Sequence, residues 1–132
     1  MDAALRDLVW RRAKDCCEYC RLPQAAASFF RFHIEHIRAR QHGGIDDAAN
    51  LALACPDCNR HKGPNLTSVD PDTDEVVPLF NPRLQGWEEH FGMQGPLIVG
   101  ITATGRGTVQ LLRMNDDERV VLRESLQAAG EL

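Results

Sequence analysis

Two Cys-x-x-Cys pairs, Cys17/Cys20 and Cys55/Cys58, constrain this chain more than any other feature. A two-residue gap lets both thiolates of a pair point at one ion, and two such pairs make the sulfur tetrahedron that zinc prefers. The 34 residues between Cys20 and Cys55 exceed an ordinary zinc-ribbon spacing, so a folded element has to lie between the pairs. A thioredoxin-like redox pair is the competing reading, but it employs one pair and leaves the other idle. Four protein sulfurs leave no open position for water. The expected zinc is therefore structural, and it supplies folding energy that a small chain needs. Cys16 is a spare thiol beside the first pair.

The intervening segment has a legible pattern. Phe30, Phe32 and Ile34 alternate with Arg31, His33 and Glu35, the period-two signature of a half-buried strand. Residues 38–49 form a polar loop in which Gly43-Gly44 permits a reversal. Leu51 to Ala54 is short and apolar and predicts a second strand; Pro56 suits the first turn of a helix that Gly63-Pro64 ends. A helix over residues 2–15 precedes this unit, with Asp2 as its cap. Beyond Gly63, strands are expected at Val76-Val77 and over 97–102. Two helices should follow, one capped by Thr104 and one capped by Asn115. The fold class is α+β, and the Phe29–Phe32 cluster is read as core.

At 132 residues, with 43% hydrophobic and 26% charged side chains, the chain is read as a single domain over 1–132. No apolar run is long enough to cross a bilayer, and the charged N-terminus is no secretory signal, so a cytoplasmic setting with reduced thiols is expected. The net charge of −4 is unevenly spread: residues 1–62 carry +2 and residues 63–132 carry −6. The cysteine-rich half is the one suited to a polyanion. The acidic half is left for a protein partner or a second copy of the chain.

The ordered string His33-Ile34-Glu35-His36-Ile37, Gly43-Gly44, Asn50-Leu51 and Cys55-Pro56-Asp57-Cys58-Asn59-Arg60-His61-Lys62 resembles the HNH endonuclease family. The detailed likeness covers residues 12–64, leaving 65–132 as a C-terminal α/β extension. It implies a ββα-metal core buttressed by a four-cysteine zinc site, and hydrolysis of DNA phosphodiester bonds. Carried over by position, His36 would be the general base, and Glu35 and Asn59 would hold one catalytic Mg²⁺ or Mn²⁺. Asn50 would pin the loop that presents His36. Arg38 and Arg40 on that loop, and Lys62 one helical turn beyond Asn59, are expected to contact substrate phosphates, with His33 as an accessory candidate.

Elementary chemistry makes this set reasonable. A phosphodiester repels nucleophiles and has a poor leaving group, so it needs a base for the attacking water and a cation for the growing charge. Hard oxygen donors suit Mg²⁺ or Mn²⁺. Strict strand alternation, however, puts Glu35 and His36 on opposite faces unless the strand ends or bulges there. The chain also departs from the commoner family pattern: Glu35 stands where Asp is more frequent, Arg38 replaces a Pro, and Gly63 occupies a position where a further ligand can lie. Two rival readings are a zinc deaminase, suggested by His33-x-Glu35 and Cys55-Pro56-x-Cys58, and a zinc-stabilised module that binds DNA or protein without cutting. The first has the proline on the wrong side of its cysteine and leaves Cys17, Cys20, Asn50 and Asn59 without work.

Overall fold

Asp2 opens the first helix, α1 (Ala3–Ala13), by accepting a hydrogen bond from the Leu5 amide at 2.8 Å. The computed structural model describes residues 1–132. After α1, Lys14 and Asp15 take left-handed backbone conformations and turn the chain into the first cysteine knuckle.

Two strands follow, β1 (His33–His36) and β2 (Leu51–Ala54), paired antiparallel from His33↔Ala54 to His36↔Leu51 without interruption. A helix, α2 (Pro56–Lys62), starts at once; Cys55 caps it, its sulfur accepting from the Cys58 amide at 3.4 Å. Hairpin and helix together make the ββα unit. The loop between the strands requires glycine at two places. Gly43 has φ of 85°, and a Cβ on Gly44 would lie 1.7 Å from the Arg38 carbonyl oxygen.

The extension adds two more antiparallel hairpins, β3 (Thr67–Val69) with β4 (Val76–Pro78) and β5 (Phe91–Gln94) with β6 (Leu97–Gly100). Between them lies the single turn α3 (Trp87–His90), and after them come α4 (Ala103–Leu111) and α5 (Asp117–Ala128). The architecture is α+β, small sheets among helices. No helix is long and apolar enough to cross a membrane.

The structure revises several sequence expectations. Strand β5 was not anticipated, since Phe91-Gly92-Met93-Gln94 lacks clean alternation and is defined by its pairing to β6. Thr102, not Thr104, caps α4, through the Gly105 amide at 3.0 Å. Asn115 caps nothing: its side chain accepts from the Ile98 amide and donates to the Ile98 carbonyl, holding the edge of β6. Of the phenylalanine cluster only Phe32 is core; Phe29 is 94% exposed and Phe30 66% exposed.

One hydrophobic cluster runs through both halves of the chain. Val9, Tyr19, Phe32, Leu51 and Leu53 from the first half pack with Phe80, Trp87, Phe91, Ile98, Leu112 and Met114 from the second, around the four cysteines. Polar anchors reinforce that junction. Arg83 pairs with Glu18 and donates to the Leu51 carbonyl at 3.2 Å, and the Trp87 indole donates to the Tyr19 carbonyl at 2.8 Å. The extension is thus the second wall of the core around which the ββα unit is built.

Candidate functional site

The hairpin has two chemically different ends. At the His33/Ala54 end the two cysteine knuckles converge, because the first docks along β2: the Glu18 amide donates to the Leu53 carbonyl at 2.9 Å, and the Leu53 amide donates back to the Glu18 carboxylate at 2.8 Å. All four paired sulfurs lie within 4.8 Å of one another, and all four residues are buried. Cys20 Sγ and Cys55 Sγ stand 3.7 Å apart. A tetrahedral ion with metal–sulfur bonds of about 2.3 Å needs sulfurs roughly 3.8 Å apart, so the cluster fits zinc. Backbone amides of Cys20 and Cys58 donate to Cys17 and Cys55, as expected for sulfurs carrying negative charge.

Burial and mutual hydrogen bonding strongly perturb the Cys17, Cys20 and Cys58 thiols. Burial pushes the Cys17 and Cys58 thiols well above their ordinary range, while hydrogen bonds from Cys17, Cys55 and Cys58 hold Cys20 well below it. Such a splitting is what a crowded, dry thiol cluster shows when one site carries the charge. Cys16 stands outside the cluster, half-buried.

At the opposite end, His36 closes β1 and faces the polar loop. Its Nε2 lies 2.7 Å from Asp46 Oδ1, a residue that sequence reasoning passed over. Arg40 approaches the same oxygen at 2.7 Å. The hydrogen bond from His36, then the charge of Arg40, keep the Asp46 carboxyl below its ordinary range. Asn50 fastens the loop with three hydrogen bonds: its Oδ1 accepts from the Arg38 amide at 2.9 Å, and its Nδ2 donates to the Arg38 and Ile45 carbonyls at 3.0 Å each. Arg38 is exposed, with Nε directed to the His42 carbonyl at 2.5 Å.

Glu35 and Lys62 are placed otherwise than the sequence suggested. Because β1 and β2 pair regularly through His36, there is no bulge, and Glu35 faces α2 while His36 faces the loop. Glu35 is only 6% exposed. One carboxylate oxygen accepts from the Tyr19 hydroxyl; the other lies 3.0 Å from Lys62 Nζ. Lys62, 2% exposed, also donates to the His36 and Ile37 carbonyls at 3.2 and 3.0 Å. Burial raises the Glu35 carboxyl above its ordinary value, and the Lys62 charge with the Tyr19 hydrogen bond opposes that rise.

In this arrangement Lys62 serves the protein interior, so the expected phosphate contact would cost it three internal partners. A divalent ion on Glu35 does not fit either. Both carboxylate oxygens are engaged and an ammonium already supplies the positive charge. Asn59 lies on α2 one turn before Lys62 and is half-buried; His33 is exposed.

A cleft of about 600 Å³ opens behind the first knuckle between Arg12, Phe80, Trp87 and Arg123, and His36 is not part of its lining. His36 is partly exposed, with 20% of its side chain open to solvent.

The HNH endonuclease family model matches residues 17–65, from the first cysteine of one knuckle to just past α2. The match takes in 49 of the chain's 132 residues. Searches among curated proteins and among solved structures return no match to the chain. The matched segment holds both ends of the hairpin, the four-cysteine cluster and the loop facing His36, and stops where the extension begins.

Proposed function

We propose that this HNH domain hydrolyses phosphodiester bonds of DNA, with His36 as the general base. The observation that carries the reading is the His36 imidazole, held at the open end of the hairpin by Asp46. With Nε2–H donating to the Asp46 carboxylate, Nδ1 keeps the lone pair. A water at Nδ1 loses its proton to the ring as its oxygen attacks phosphorus. The bond from phosphorus to O3′ breaks, and the departing oxygen takes a proton from solvent, leaving 5′-phosphate and 3′-hydroxyl ends. Asp46 is the positioning residue, since it fixes the tautomer and steadies the imidazolium that forms. Arg38 and Arg40, exposed on the same loop, are the proposed phosphate contacts, and Asn50 holds that loop in shape.

The Glu35 carboxylate is committed to Lys62 and Tyr19, which leaves it no free oxygen for a catalytic ion. Glu35 and Asn59 serve as ligands of Mg²⁺ or Mn²⁺ only in a conformation where Lys62 leaves the carboxylate. That same pairing favours a second reading, a zinc-stabilised module that binds nucleic acid without cutting it.

A plasmid-nicking assay on the zinc-loaded chain separates these readings. Wild type should nick supercoiled DNA, and His36→Ala should lower the rate by about 10²–10⁴-fold, the usual worth of a positioned base. Nicking abolished by a chelator too weak to extract the zinc, and restored by Mg²⁺ or Mn²⁺, would require Glu35 to become available. Equal rates for wild type and His36→Ala remove His36 from the chemistry. A gel shift with no cutting by either protein leaves the binding module.

A further inference from the structure

Zinc held by four thiolates carries a net charge of about −2, and such a charge in a dry interior needs compensation. Two buried guanidinium groups stand close by, and both come from α5, outside the HNH match. Arg119 is 9% exposed and Arg123 3% exposed; four residues apart, they share a helix face. Arg119 is aimed at the cluster: Nη2 lies 3.0 Å from Cys58 Sγ and 3.9 Å from Cys55 Sγ. Its other nitrogen, Nη1, donates to the Leu112 and Arg113 carbonyls at 2.7 and 3.1 Å, which locks the orientation. Arg123 touches no sulfur and spends its donors on Pro96, Met114 and Asn115.

We propose that Arg119 is an outer-sphere positioning residue of the zinc centre, supplied by the C-terminal extension. Its N–H···S bond to the second knuckle offsets the charge of the sulfur cage and shields it from competing ligands. The knuckles alone provide the four sulfurs; the extension provides the donor that keeps the ion in place. This rests on the four-cysteine site and stands whether or not His36 cuts DNA.

The test uses the full-length zinc-loaded chain and the transfer of its metal to a chromogenic chelator. Arg119→Met should release zinc about 10–100-fold faster than wild type, the range found when a partner of a metal ligand is removed. With Co²⁺ in place of zinc, the sulfur-to-metal charge-transfer bands should shift in Arg119→Met and stay in place in Arg123→Met. Equal acceleration by the two variants would overturn the proposal, since it would mean general loosening of α5; so would wild-type release and an unshifted spectrum in Arg119→Met. Should Arg119→Met fail to fold, the wild-type chain loaded with NMR-active cadmium decides. A through-hydrogen-bond coupling between cadmium and Arg119 guanidinium protons is expected, and its absence refutes the contact.

Discussion

The two ends of the β1–β2 hairpin are built from the same strands and do opposite things. At the cysteine end every functional side chain is buried, four sulfurs face inward, and a guanidinium from α5 covers them. At the His36 end the side chains stay partly open, 20% exposed for His36 and 28% for Asp46, and hydrogen bonds rather than packing hold the loop. The difference matches the two roles proposed for the ends, a structural metal site and a hydrolytic base. A structural ion gains from exclusion of water and competing ligands, whereas attack on a polymer needs a base that solvent and substrate can both reach. Between the ends, the buried Glu35–Lys62 pair ties β1 to α2.

Removing one sulfur should have the largest effect on this contrast. Cys55→Ser deletes a zinc ligand and the cap of α2 together, and structural zinc in small sites contributes about 10–16 kcal/mol. Loss of bound zinc by elemental analysis and loss of the cooperative thermal transition are expected. A zinc-free variant melting like wild type would dissolve the distinction between the ends.

The junction comes next. Lys62→Met leaves the Glu35 carboxylate buried without its cation and should cost about 3–5 kcal/mol in chemical denaturation at neutral pH. With Lys62 gone, burial raises the Glu35 carboxyl with less to oppose it, so the fold resists its ionisation more than the unfolded chain does. The penalty is therefore smallest below the ordinary carboxyl range and grows as pH rises through the folded value. Stability of Lys62→Met should recover in mild acid, and the double variant Glu35→Leu/Lys62→Met should regain most of the loss. A single variant insensitive to pH would mean that Glu35 is not paired as described.

Smaller effects belong to the open end. Asn50→Ala removes three loop hydrogen bonds at a site reached by water, costing about 1–3 kcal/mol, and should depress nicking more than it depresses the melting temperature. Proportional losses in both would make the loop a stability element only. Asp46→Asn should show the smallest change in stability. Its carboxyl is depressed in the fold, so its contribution is present above the ordinary Asp value of about 3.9 and is lost as pH falls through the folded value. Melting curves of wild type and variant should differ near neutrality and converge in acid; a constant offset would remove the His36–Asp46 pair from the account.

How legible all this was depended on how local the signal is. The cysteine spacing, the apolar run Leu51–Ala54 and the Pro56 helix start are short-range patterns, and the cluster, β2, α2 and the α+β class follow them; the alternation read from Phe30 does not hold, since β1 begins only at His33 and buries Glu35. Strand β5 and the work of Asn115 at β6 lie outside any local pattern, since each is defined by a partner elsewhere in the chain. Alternation did warn that Glu35 and His36 face apart, and the unbroken register decides in favour of alternation.

By itself, the sequence determined that four thiols converge and that a polar loop lies between them, because two-residue gaps, a glycine pair and a short apolar run are properties of the local chain. Only the tertiary structure decided that Lys62 turns inward, that Asp46 meets His36 and that Arg119 reaches the sulfurs. Asp46 is 10 residues from its partner, Lys62 is 27 from Glu35 and Arg119 is 61 from Cys58. Charged side chains choose partners by distance and desolvation in the folded chain, and neither is written in spacing along it.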